Sequence, residues 1–270
     1  MRRWSSKIVM IRKTFLLTTF VLVFSITKAQ DYVRPYSEIP PSGNTKFNIC
    51  FSMGTATPIQ DFASTNVKNS FWDFSSPDSV RLQGFAKQGF HFNISASYLF
   101  SDNLGIMVCF GGNVNSFDEG AFSSAIGYPT TNTSGNYFTG EYLIGPYLSF
   151  PVGCKFHIKI NALIGLVANS YPVLDVALSD TTTYVRELTK GKGLGFNFGL
   201  GLEYSVNSTI SILLNSNYTY ADISYSSWTE TLTYSIPGYY PLTLTRQHPT
   251  DATSMSTGII KSTIGIEFKF

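Results

Sequence analysis

Residues 194–206 read LGFNFGLGLEYSV, and their alternation restricts the fold of this chain more than any other stretch. Leu194, Phe196, Phe198, Leu200, Leu202, Tyr204 and Val206 take the even positions, and Gly195, Asn197, Gly199, Gly201, Glu203 and Ser205 the odd ones. A period of two belongs to a strand with two unlike faces, and each interior glycine would cost a helix roughly 1 kcal/mol. One face suits hydrocarbon. The other is small and polar.

The pattern recurs to the last residue. It predicts strands near 46–56, 88–100, 104–114, 137–150, 156–168, 194–206, 210–220 and 260–270. Gly145 and Pro146 within the fourth predict a β-bulge, because proline removes a ladder hydrogen bond and a closed sheet has no free edge. About eleven residues, rising about 3.3 Å each at a tilt near 45°, climb roughly 25 Å, the height of a bilayer's apolar band. Tight turns at 101–103, 151–154 and 207–208 alternate with long connections at 57–86, 117–136, 171–192 and 222–256. These features predict an all-β fold: an eight-stranded antiparallel up-and-down transmembrane β-barrel with long extracellular loops, integral to a bacterial outer membrane.

A secreted sandwich or lipocalin would also alternate, with its charges facing water. Here the apolar parity of the strand cores holds no Asp, Glu, Lys, Arg or His. The ionisable strand residues Lys46, His91, Glu141, His157, Lys159, Glu203, Lys261, Glu267 and Lys269 all share the other parity. Charged residues are 13% of the chain and aromatics 15%. That composition is too uncharged for an ordinary solvated surface.

The first residues predict a secretory signal over 1–29: Arg2, Arg3, Lys7, Arg12 and Lys13, an apolar run from Phe15 to Ile26, and cleavage after Ala29. Met10 offers an alternative start. The run is short of the roughly 20 residues needed to span a bilayer. Removing the six basic residues of this segment leaves 13 Lys and Arg against 17 Asp and Glu, so the mature chain is mildly acidic and shows no nucleic-acid patch. The proline-rich stretch 30–44 reads as an extended periplasmic segment, and 45–270 as the barrel. Cys50, Cys109 and Cys154 fit neither a zinc site nor a CxxC motif and read as small packing residues. No cofactor is expected.

The lumen charges are the first candidate site. Counting from the turns places Lys159 beside Glu203 on adjacent strands, and Lys46 with Glu267 and Lys269 across the closure. An eight-stranded interior is about wide enough to be filled by side chains, so Lys46, Glu141, His157, Lys159, Glu203, Lys261, Glu267 and Lys269 form a polar network that plugs it. A hydrated path past the inward glycines Gly165, Gly199 and Gly201 is the alternative. The histidines offer little to catalysis. His91 and His157 fall at opposite ends of the barrel, and His248 sits in a loop near Asp251. The second candidate is the loops: 229–246 alternates on both sides of Pro237-Gly238 and reads as a raised hairpin displaying Trp228, Tyr234, Tyr239 and Tyr240, with Trp72 in the first loop.

The signal ending Lys28-Ala29-Gln30, the unit YLFSDNLGI (98–106), the segment Gly145-Pro146-Tyr147 and the terminal IEFKF resemble the outer-membrane β-barrel family abundant in Bacteroidetes, which includes PorT-like proteins. The resemblance implies a barrel-insertion signal at Ile264, Ile266, Phe268 and Phe270, read by the insertion machinery. Its PorT-like branch is linked to protein secretion. The expected role is a non-enzymatic binding or accessory component that meets outer-membrane lipid along its wall and an envelope protein or surface ligand through its loops. A narrow pore for small solutes is the alternative.

Overall fold

A computed structural model describes residues 46–66, 82–127, 130–188 and 190–270. The expected signal segment (1–29), the expected periplasmic stretch (30–44) and Trp72 lie outside them. Eleven strands are described: β1 (Phe47–Ile59), β2 (Gly89–Leu99), β3 (Leu104–Asn115), β4 (Thr130–Ser134), β5 (Tyr137–Pro151), β6 (Phe156–Ser170), β7 (Val173–Ser179), β8 (Thr182–Leu188), β9 (Gly191–Ser205), β10 (Ile210–Tyr234) and β11 (Leu242–Lys269). One α-helix among the described residues, α1 (Glu119–Ile126), lies between β3 and β4, and a short 3-10 turn (Gln60–Phe62) follows β1.

Eight of these strands form a closed antiparallel ring in the order β1-β2-β3-β5-β6-β9-β10-β11, and β11 pairs back to β1 from Asn48↔Lys269 to Ile59↔Gly258. The tight turns join neighbours at one end, hereafter the turn end. Everything else connects at the loop end. The outward parity remains apolar and uncovered: Phe51, Phe92, Phe110, Ile144, Ile164, Phe198, Leu214 and Ile264 are each roughly half exposed or more. A water-soluble fold would have to leave that belt in solvent. In a bilayer it is the face that meets hydrocarbon, while the closed ring satisfies every ladder. No helix among the described residues is long and apolar enough to cross a membrane, and crossing falls to the strands.

The ladder at Gly145-Pro146 corrects one expectation. Met107↔Gly145 and Ile106↔Pro146 continue the pairing with β3, and the pairing with β6 passes from Ile144↔Ile164 to Tyr147↔Asn161 in unchanged register. No residue is inserted. β6 instead comes close to Gly145, where an added Cβ would stand 2.2 Å from the Ala162 carbonyl oxygen. Glycine thus accommodates the proline by close approach rather than by a bulge. A register shift does occur elsewhere, between Tyr225 and Ser227 on β10.

Three of the long connections carry more structure than their sequence suggests. Residues 171–192 hold the hairpin β7–β8, and 117–136 hold α1 and β4. Asp118 caps α1, its side chain accepting from the Ala121 N–H at 3.1 Å, and Gly127 ends it at φ +76°. Residues 222–256 are mostly strand: β10 and β11 continue past the ring and carry β8, β7 and β4 beside them as an outer sheet.

Candidate functional site

Strands turn alternate residues inward, so the polar parity of the ring meets in an interior about wide enough to be filled by side chains. Six ionisable side chains converge there. Lys159 on β6 lies 2.8 Å from Glu203 Oε2 and also bonds Glu267 Oε1. Lys269 pairs with Glu203 and donates to Ser205 Oγ at 3.0 Å, and Ser211 Oγ donates to Glu203 Oε1 at 2.7 Å. Nearer the loop end, Lys261 pairs with Glu141 Oε2, and Glu141 Oε1 accepts from Asn113 Nδ2 at 2.8 Å. His91 Nδ1 stands 2.7 Å from Asn113 Oδ1. Three lysines thus face three glutamates, and the balance lets charges this deeply buried persist. His157, half-buried at the turn end, has Nδ1 3.8 Å from Glu203 Oε1.

The network is wired across the lumen as well as along the wall. Lys159 and Glu267 stand on strands that are not neighbours in the ring, yet they bond. Lys46, placed with Glu267 by counting along the closure, is instead exposed at the turn-end rim, where its carbonyl accepts from the Leu99 N–H. In a barrel this narrow, reach across the bore outweighs adjacency on the sheet. The inward glycines are not open space either. A Cβ on Gly199 would meet Asn217 Oδ1 at 2.0 Å, and one on Gly201 would meet Asn215 Oδ1 at 2.1 Å. Between the two charge clusters lies a cavity of about 30 Å³ lined by Asn93, Asn161, Asn197, Asn215, Asn217 and both Lys159 and Lys261. It has the size of a water or two, not of a channel. Cys50 and Cys109 pack inside this wall, whereas Cys154 is exposed in the turn after β5, contrary to a packing role.

Above the lumen sits an aromatic cap that the sequence reading missed. Phe62, Leu82, Phe122, Tyr137, Ile223, Met255 and Ile259 are fully buried there. Phe62 meets Tyr137 edge-on at 4.9 Å, Phe122 meets Phe85 and Phe117 each at 5.3 Å, and Tyr137 meets Tyr171 at 5.1 Å. Hydrogen bonds pin the segment after residue 81: Tyr171 Oη donates to the Gln83 carbonyl at 3.0 Å, and Tyr137 Oη to that of Gly84. Sequence signals for part of this existed. Asp118 followed by Glu119, with Gly127 eight residues on, is a helix start and stop.

The outer sheet places the loop aromatics unequally. Trp228 is half-buried, with the Arg186 guanidinium stacked over its ring at 4.1 Å. Burial lowers the Arg186 guanidinium and raises the Tyr184 phenol, which donates to Glu230 Oε2 at 3.2 Å. Tyr234, Tyr239 and Tyr240 at the hairpin tip are exposed, Tyr240 almost completely. Ile264, Ile266 and Phe270 point outward near the closure, where Phe268 and Phe270 meet Phe51 and Phe47 at 6.4 and 6.1 Å. Among the described residues no group of three or more His, Cys, Asp and Glu could hold a metal ion.

A closed ring with a hydrocarbon-facing exterior and an ion-paired interior defines an integral outer-membrane barrel protein. The model of the outer membrane protein beta-barrel domain family matches residues 46–236. The chain belongs to that family. Among solved structures it is similar to Neisserial surface protein A (NspA), at 14% identity over 83% of this chain and 97% of that one, TM-score 0.44. It is also similar to OprG from Pseudomonas aeruginosa (14%, 85% and 98%, TM-score 0.39) and to the outer membrane protease OmpT from Escherichia coli (10%, 87% and 99%, TM-score 0.44). No curated protein matches it by sequence.

Proposed function

We propose that this protein is a non-enzymatic binding or accessory component of the outer membrane, with a sealed barrel that anchors the raised β10–β11 hairpin outside the cell. The observation that carries this reading is the double closure: a balanced ion-pair network in the lumen, under an aromatic cap. A small asparagine-lined cavity lies between the two charge clusters. His91 supports a structural role, since it is buried and bonded to an amide rather than set against a nucleophile. A secretion-associated, PorT-like role is the specific form of this proposal, supported by the resemblance in sequence. The insertion machinery would read Ile264, Ile266, Phe268 and Phe270 at the closing strand.

Planar-bilayer recordings of the folded, inserted protein should be silent. Discrete conductance steps would replace this reading with the narrow pore. Orientation has its own check. With the short turns in the periplasm, a membrane-impermeant maleimide should leave Cys154 unlabelled on intact cells and label it once the outer membrane is permeabilised. Labelling of intact cells would reverse the topology.

A further inference from the structure

Among the described residues, the upper arm of β11 has one partnered edge and one without a strand partner. Its pairing with β1 stops at Ile59↔Gly258, and the Leu82 N–H covers the carbonyl of Ser254, but among the described residues 242–247 pair only with β10. All six side chains of that segment are exposed. Which backbone groups are bare follows from alternation. The Ser235 N–H bonds Thr181 on the β8 side, so Tyr234, Leu232 and Glu230 direct their amides toward β11. Opposite them, Leu242, Leu244 and Arg246 are the bonded residues. Thr243, Thr245 and Gln247 therefore aim their N–H and C=O groups outward.

An edge of this kind is normally blunted by lysine, proline or a bulge, and LTLTRQ carries neither of those residues. Alternating main-chain donors and acceptors are satisfied by another extended backbone. The side chains say which one. On the face shared by Leu242, Leu244 and Arg246, the natural neighbour β10 presents Tyr234, Leu232 and Glu230 in direct register. Glu230 is itself held by Tyr184 on the far side.

We infer that 242–247 is a docking edge for an extended segment of a partner polypeptide, added antiparallel, with an acidic residue opposite Arg246 and apolar residues opposite Leu244 and Leu242. This deepens the binding role proposed above and rests on it. The main-chain bonds supply affinity, Arg246 sets the register, and the exposed Tyr239 and Tyr240 flank the end of the added strand.

The probe is a labelled synthetic peptide, WTETLTY, the sequence of residues 228–234, titrated by fluorescence anisotropy against the full barrel in nanodiscs. The wild type should bind it, and at least about tenfold more tightly than WTKTLTY, which sets lysine against Arg246. Thr245→Pro removes an outward N–H while leaving the bonds to β10, so it should lose most of the binding with the barrel still folded. Failure of the wild type to bind, equal binding by Thr245→Pro, or indifference to the lysine would each overturn the inference. Binding that survives Thr245→Pro but vanishes on deleting 229–246 would move the contact to the hairpin's faces and leave the broader role standing. Binding that survives the deletion as well would remove the hairpin from both. A dimer dissociated by Thr245→Pro and untouched by peptide would assign the edge to a second copy and overturn the partner claim.

Discussion

Replacing Lys159 with methionine should destabilise the barrel by about 3–5 kcal/mol, the range seen when one member of a buried ion pair is removed. Lys159 holds two carboxylates at once, Glu203 and Glu267. Glu203 would keep Lys269, Ser205 and Ser211. Glu267, 1% exposed, would keep no bonded cation among the described residues. The methionine fills much of the same volume, so the loss is electrostatic rather than steric. Thermal unfolding, followed by the heat-dependent gel shift of the folded barrel, reads it directly. Adding Glu267→Gln to Lys159→Met should restore part of the loss, because it removes the stranded charge. Unchanged melting in the single variant would show that the lumen charges do not hold the barrel.

Phe122→Ala should cost a similar amount, roughly 3–5 kcal/mol, but in a different place. Phe122 is fully buried in the cap on α1, against Phe85 and Phe117. The ring of eight strands makes its ladders without it. The loss should therefore appear as local opening of the cap: protease cleavage within 117–136 accelerated by roughly a hundredfold or more, with barrel melting little changed. Bilayer recordings should stay silent, since the Lys261–Glu141 and Lys159–Glu203–Glu267 clusters lie below the cap. Barrel melting that falls as far as it does in Lys159→Met would mean that cap and ring unfold as one unit.

Much of the architecture was legible because strand parity and a bilayer's apolar band are both local in sequence. Phe196, Phe198 and Leu200 announce their environment by alternation alone, and so does every ring strand. The pairing of Lys159 with Glu203 was legible for the same reason, since both heights can be counted from the nearest turn. Lys46 misled because the count ran along the wall, while the actual partner of Glu267 reaches over the bore. Trp228 misled because nothing local announces Arg186 over its ring. Phe62, Phe122, Tyr137 and Tyr171 were unreadable as a cap because they come from three separate connections and the start of β5.

The sequence by itself determined that the chain closes into eight amphipathic strands with an uncharged exterior and a polar lumen, because each strand's alternation sets which residues hydrocarbon can tolerate. Only the tertiary structure decided which lysine meets which glutamate, that aromatic side chains from separate segments pack together over the lumen, and that β10 and β11 run on past the ring with 242–247 paired only to β10 among the described residues. Those outcomes depend on distances across the bore and between connections. Side chains far apart along the chain come within bonding range only once the ring has closed.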